Sequence, residues 1–320
     1  MSATHPSSIR GRRNRSAPAV TVIIPARDEE ENLPAVFARL PADLFEVILV
    51  DGRSTDDTVE VARRLLPSIR VLWQDGRGKG NALTMGFGAA RGDIIVTLDA
   101  DGSADPLEIP RFVAALVAGA DFVKGSRFAQ GGGSSDITLS RRLGNRALCG
   151  LVNRVYGMSY SDLCYGYNAF WADCLPLLQV IWPGSPFGAC SGAPFGTGFE
   201  VETTMNIRAA KAGLTVWEVP SYEQPRIYGR SNLNAIRDGL RILRAIWEES
   251  PGRALRRERV ALSAAALAVD GAPQREPTAP TSRSTALPGQ EFRFAAARPE
   301  SANGNGHPGR AAPKPNGQNA

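Results

Sequence analysis

Between Val20 and Gly119 the chain switches period four times in the same order. Four β-branched runs, AVTVIIPA (19–26), FEVILVDG (45–52), IRVLWQD (69–75) and DIIVTLDAD (93–101), read as buried strands. Each is followed by apolar residues at helical spacing: DEEENLPAVFARL (28–40), STDDTVEVARRLL (54–66), GRGKGNALTMGFGAA (76–90) and DPLEIPRFVAALVAG (105–119). Strands joined by helices at this rhythm pair in parallel through right-handed crossovers, with helices covering the faces of the sheet. The pattern therefore predicts an α/β fold with a mostly parallel central sheet flanked by helices. Ligands of such sheets bind at the carboxyl ends of the strands. Pro25, Asp51 and Asp99, which close three of the runs, are expected to converge on one cleft.

The pattern continues less regularly. ADFVKGSRF (120–128) reads as a strand, residues 139–158 as a helix, GYNAFWADCLPLL as a strand-to-helix transition, FEVETTMNIRAAKAG as a helix and LTVWEVP as a strand. NLNAIRDGLRILRAIWEE is a last amphipathic helix, whose 235–247 stretch is of a kind that meets a bilayer surface. QGGGSSD and the Gly/Pro-rich GSPFGACSGAPFGTG (184–198) read as loops. Residues 1–18 and 251–320 lack any period and read as disordered tails around a body at 19–250.

Charge divides along the same boundaries. The formal net charge of +5 belongs to the ends, because four arginines and no acid stand in residues 1–18 and ten basic against five acidic residues in 251–320. The body is left mildly acidic, which argues against a nucleic-acid-binding core. The basic tails leave open a peripheral contact with anionic lipid. The four cysteines, at 149, 164, 174 and 190, form no C-x-x-C pair, so reduced thiols and a cytoplasmic setting are expected. No apolar run approaches the roughly 20 residues of a membrane span.

Chemistry concentrates where TLDADGSADP (97–106) ends the fourth run. On an extended strand Asp99 and Asp101 project to one side, so both carboxylates can face one cation. Hard divalent ions such as Mg²⁺ or Mn²⁺ commonly bridge one or two carboxylates to phosphates. The alternative is a pair of surface or turn-capping charges. Asp51 can accept from a nucleobase or ribose, or cap the following helix. Arg77 and Lys79, beside glycines at a helix opening, suit phosphate oxygens, and Arg127 after another strand end suits the same anionic site. Asp162 and Glu202 are candidates for a general base, with capping or surface roles as alternatives. Phe170 and Trp171 read first as packing.

Taken in order, VIIPARDEEENL, VILVDGRSTDDT, GKGNAL, LDADGSADP, GSRF, DLCYGYNAFW and RIYGRSNL resemble the family-2 glycosyltransferases, closest to the dolichol- or polyprenyl-phosphate sugar synthases. The resemblance covers about residues 19–248. It implies a GT-A fold and an inverting, metal-dependent transfer from a nucleotide-diphospho-sugar to polyprenyl phosphate, with a saccharide or other hydroxyl acceptor as the alternative and a non-catalytic sugar-nucleotide-binding protein as a third reading. Pro25, Ala26, Glu29 and Asp51 would line the nucleoside pocket, with Lys79 and Ala100 beside the donor diphosphate. Asp99 and Asp101 would hold Mg²⁺ or Mn²⁺. Arg127, Arg141 or Arg142, Arg226 and Ser231 would meet phosphates. The localisation implied is the cytoplasm, at the inner face of the plasma membrane.

Overall fold

The computed structural model describes residues 17–179, 198, 200–229 and 235–250. Most of the N-terminal arm, most of the Gly/Pro-rich 184–198 loop with Cys190, Ser231 and the 251–320 tail lie outside the described residues.

Seven strands form the main sheet: β1 (Val20–Ala26), β2 (Glu46–Asp51), β3 (Arg70–Trp73), β4 (Ile94–Thr97), β5 (Phe122–Ser126), β7 (Asn168–Trp171) and β8 (Val216–Pro220). Their order is β3-β2-β1-β4-β7-β5-β8, with β7 antiparallel to both neighbours and every other pair parallel. Two short strands, β6 (Gly133–Ser134) and β9 (Tyr222–Glu223), pair separately. The β-branched runs make these strands because both faces of the sheet are covered: every residue of β2, β4, β5 and β7 is buried.

The described residues form seven α-helices: α1 (Leu33–Phe37), α2 (Thr58–Leu65), α3 (Lys79–Ala89), α4 (Ile109–Val117), α5 (Leu139–Tyr156), α6 (Glu200–Lys211) and α7 (Ala235–Glu248). The last three meet around a second core that includes Cys149, Val152, Ile207, Ile242 and Ile246.

Two local expectations are corrected. The helix expected over 28–40 shrinks to five residues, and the chain before it is tied to the loop after β2 and the start of the next helix: Glu29 N donates to Thr58 Oγ1 (2.8 Å) and Glu30 N to Asp56 Oδ2 (3.1 Å). The fourth strand ends at Thr97, not at Asp101, so Asp99 and Asp101 stand on a turn. Their approach to one cleft owes nothing to strand pleat.

The antiparallel strand matters for what gathers at that turn. Asn168, the first residue of β7, lies opposite Thr97, the last of β4. The approach to β7 therefore arrives at the edge where the parallel strands end, and Thr97 Oγ1 donates to Gly166 O (2.9 Å). The chain leaving β8 departs from the same edge and crosses the turn, with Gln224 N bonded to Ser103 O (2.8 Å) and Ile227 N to Asp101 O (3.2 Å).

Candidate active site

A cavity of about 650 Å³ opens at the carboxyl edge of the sheet, a size typical of small-molecule sites. Pro25, Ala26 and Glu29 from the end of β1, Lys79 from α3, Asp99, Ala100 and Asp101 from the turn after β4, and Arg226 all line it.

Lys79 opens α3 after Gly78, and its ammonium lies 2.6 Å from Asp99 Oδ1 and 2.7 Å from Glu202 Oε1. Burial opposes its charge, but the two carboxylates outweigh burial and hold its pKa above the ordinary lysine value. Glu202 projects from the first turn of α6 and is buried. Burial, reinforced by Asp99 and opposed by Lys79, pushes its carboxyl above the usual range. Neither Glu202 oxygen has an aligned hydrogen bond among the described residues; Lys79 reaches it as an ion pair. Gly166 makes this trio fit, since a Cβ there would stand 2.7 Å from Lys79 Nζ and 3.1 Å from both Asp99 Oδ2 and Glu202 Oε1.

A second ion pair set repeats the motif. Arg226 bonds Glu29 (Nη1 to Oε1, 2.9 Å) and reaches Asp101 (Nη2 to Oδ2, 3.2 Å). Burial raises the Glu29 carboxyl, with Arg226 and Asn32 pulling the other way. Asn32 also accepts from Tyr228 N (2.8 Å), so the 226–228 segment is pinned across the cleft. It passes so near the turn that a side chain at Gly102, where φ is +77°, would be strained and would displace Ile227, whose Cδ1 would stand 2.5 Å from the added Cβ.

Each set shares one base between two acids and so carries a net negative charge. Both carboxylates of the 99–101 pair have drawn a cation, which is the behaviour of a site that fits positive charge. Two carboxylates completed by donor phosphate oxygens are an ordinary arrangement for Mg²⁺ or Mn²⁺. Among the described residues no group of three or more His, Cys, Asp or Glu is placed to hold a metal alone. Arg27, Arg53, Arg77, Arg237 and Arg241 stand on the walls, where an anionic ligand would be met.

Other expected residues lie elsewhere. Asp51 is fully buried and does not line the cavity; its carboxylate accepts from Arg53 N (3.0 Å) and Ser54 N (3.2 Å) and so shapes the turn, while Gly52, Arg53 and Gln74 face the opening. Arg127 is held in a closed triad. Its Nε and Nη2 bond Asp162 (2.7 and 3.0 Å) and its Nη1 bonds Glu223 (3.0 Å). Burial would raise the Asp162 carboxyl, but Arg127 holds it below the usual range. With no exposure and both oxygens engaged by Arg127, Asp162 is poorly placed to take a proton from an acceptor.

Arg127 and Arg141 line a second cavity of about 130 Å³ between α5 and α7, and Asp238 lines both cavities. Arg141 pairs with Asp136 (3.1 Å), and Arg142 lies over the Phe128 ring at 5.6 Å. Phe170 and Trp171 are packed in the core. Asn32, Gln74, Gly166 and Glu223 were not anticipated. A glycine amid aromatics ahead of a strand, as in CYGYNAFW, was the available signal for Gly166.

A seven-stranded, mostly parallel sheet with paired carboxylates in a cleft at its carboxyl edge is the GT-A type of α/β domain. The profile of Glycosyl transferase family 2 matches residues 21–174. The undecaprenyl-phosphate mannosyltransferase of Micrococcus luteus is 34% identical over 224 residues, spanning 67% of this chain and 87% of that protein. An uncharacterized glycosyltransferase of Mycobacterium tuberculosis is 45% identical over 109 residues, 34% of this chain. The chain thus spans about half (49%) of the length of that relative. Among solved structures, glucosyl-3-phosphoglycerate synthase from Mycobacterium tuberculosis, in complex with Mn²⁺, UDP and glucosyl-3-phosphoglycerate, matches the fold with a TM-score of 0.56 at 20% identity, covering 78% of this chain and 86% of that one. The chain belongs to glycosyl transferase family 2.

Proposed function

We propose that the protein moves a sugar, with inversion, from a nucleotide-diphospho-sugar to a polyprenyl phosphate. The observation that carries the reading is the pairing of Asp99 with Lys79 and of Asp101 with Arg226 inside one arginine-walled cavity. Asp99 and Asp101 would hold a divalent cation, which when bound supplies charge stabilisation to the departing diphosphate. The Mn²⁺ and UDP named with the synthase structure are consistent with that use.

The chain's own groups do the rest. Lys79 and Arg226 are poised to exchange a carboxylate for a phosphate oxygen as the donor enters, which keeps charge balanced through the transfer. The anomeric C–O bond breaks with its electron pair leaving on the nucleoside diphosphate, and the acceptor oxygen forms the new bond from the opposite face. A phosphate acceptor is already anionic, so no proton has to be removed. The acceptor class named in the Micrococcus relative supports this choice, as does a second cavity next to the first with Arg141 on its wall.

A hydroxyl acceptor is the second reading, and one observation favours it. Glu202, its carboxyl raised by burial, lies 2.7 Å from Lys79 in the cluster that contains Asp99, and would serve as the base for a hydroxyl once that buried cluster opens to the cleft. The deciding experiment incubates the purified chain with Mn²⁺ and a panel of nucleotide sugars, with and without polyprenyl phosphate. Nucleoside diphosphate released only with the lipid supports the first reading. Equal release without it, or release driven by a saccharide, removes it. We also propose that the protein works at the inner face of the plasma membrane, where such an acceptor resides.

A further inference from the structure

Lys124 is fully buried in β5 and takes no part in the two ion-pair sets of the cleft. Burying an ammonium costs stability, so a lysine in the middle of a sheet calls for a reason. Its register partners are Asn168 in β7 and Glu218 in β8, and Asn168 lies opposite Thr97 in β4. Register partners share a face of the sheet. Thr97, Asn168, Lys124 and Glu218 therefore form one polar row across four adjacent strands. We infer that Lys124 is a positioning residue for the transfer: the row it completes seats the 161–167 loop and so sets Gly166 against Lys79 and Asp99.

The loop has no regular secondary structure, so its backbone groups need partners outside a ladder. The row supplies them in order. Glu218 Oε1 accepts from Ser161 N (2.9 Å) and Asp162 N (3.2 Å) at the start of the loop. Lys124 Nζ donates to Tyr165 O (2.8 Å). Thr97 Oγ1 and Asn168 Nδ2 both donate to Gly166 O (2.9 and 3.2 Å). The chain is thus laid across the strand ends from β8 to β4. At the β8 end it delivers Asp162 to Arg127, and at the β4 end it delivers Gly166 to the trio of Lys79, Asp99 and Glu202.

The row is costly, which separates seating from packing. Burial pulls the Lys124 ammonium below the ordinary lysine range, with Asp162, Glu218, Cys164 and Glu202 pulling the other way. Asn168 Oδ1 has no hydrogen-bond partner among the described residues. An apolar side chain of the same volume would fill the space of Lys124 without that burial cost. What it could not do is hold Tyr165 O, one peptide from Gly166. There is little slack at that point, since even an added Cβ on Gly166 would stand 2.7 Å from Lys79 Nζ. A loop that slips toward the trio therefore moves the ammonium off Asp99. The purpose given to the seat rests on reading Lys79 and Asp99 as the donor-diphosphate site; the seat itself does not.

Lys124→Met in the full chain keeps the volume and removes the donor. We expect its melting temperature to stay within about 5 °C of the unaltered protein. Amide exchange, followed by mass spectrometry, should quicken in peptides covering 161–167 and not elsewhere, and kcat at saturating donor should fall by roughly tenfold or more. Combined with Gly166→Ala, which strikes the same ammonium, the loss should be smaller than the product of the two separate losses. Thr97→Val removes one of the two donors to Gly166 O; it should show the same pattern more weakly, and it carries the test if Lys124→Met does not fold. Unchanged exchange and turnover in the folded variants overturn the inference. So does a turnover loss that tracks a falling melting temperature and faster exchange throughout the fold, since Lys124 would then be structural only. Losses that multiply in the double variant overturn it as well, because the effect would not pass through Gly166. Quickened exchange confined to 161–167, in a protein that turns over no nucleotide sugar, would uphold the seat while removing the donor-site reading.

Discussion

The cleft and the Arg127 triad are built from the same parts and behave differently. In each, one base lies between two acids: Lys79 between Asp99 and Glu202, Arg226 between Glu29 and Asp101, Arg127 between Asp162 and Glu223. In the triad nothing is left to rearrange. The side chains of Arg127 and Asp162 are 4% and 0% exposed, and the guanidinium bonds both carboxylates. At the cleft, Asp99 is 32% exposed, and the bases contact their acids with fewer bonds. Salt-bridge count therefore says little about role; what separates a structural ion cluster from a working one is whether a partner can be exchanged without stranding a buried charge.

The sharpest way to break this distinction is to remove one acid from each region. Asp162→Ala leaves Arg127 short of a partner in a closed interior, and should lower stability by about 3–5 kcal/mol in chemical denaturation. Asp101→Asn should hardly move the denaturation midpoint, yet reduce donor turnover by about 100- to 1000-fold, as loss of one charge-stabilising group commonly does. A native-like midpoint for Asp162→Ala, with collapse of Asp101→Asn, would reverse the assignment of the two regions.

Acidity separates the regions by sign, with a smaller effect. Asp162 has its carboxyl held low by Arg127. Its stabilisation is present above the ordinary carboxylate range near pH 4 and is lost as pH falls through the lower folded value. Glu202 is shifted the other way by burial. Its contribution is favourable below the ordinary range and is lost as pH rises through the higher folded value. Melting temperatures of Glu202→Gln relative to the unaltered protein should therefore improve as pH is raised from about 4 to about 8. A difference that is flat or falls over that range would mean that Lys79 fully offsets the burial of Glu202.

The contrast also explains how much could be read from the chain. Strand and helix order follows directly from residue period, and the paired carboxylates at 99 and 101 stand out because they end a buried run. Arg226 stood out only through the family resemblance that RIYGRSNL helps to carry, and it lines the cleft. The fate of Arg127 was not legible, because its partners lie 35 and 96 residues away, Asp162 on the loop before β7 and Glu223 in β9, and only the finished sheet brings them together. Asp51 shows the same limit: an aspartate at a strand end can face a ligand or cap its own turn, and here its carboxylate accepts from Arg53 N and Ser54 N. Local pattern specifies elements; competition among acids for a limited number of bases is settled by burial, which no short stretch records.

Gly166 offers the mildest perturbation of the working region. An added methyl would stand 2.7 Å from the flexible end of Lys79, so the backbone need not move, but the ammonium must. Gly166→Ala should therefore fold, with a stability change of about 1 kcal/mol or less, while turnover drops by roughly tenfold through misplacement of Lys79 against Asp99. Gly150 in α5 is the matching control, since nothing lies within 4 Å of its added Cβ. Gly150→Ala should leave turnover unchanged and stabilise the helix by about 0.5–1 kcal/mol. If the two variants lose turnover equally, the loss does not pass through Lys79, and the exchange of its carboxylate for a donor phosphate is not what the cleft is built to do.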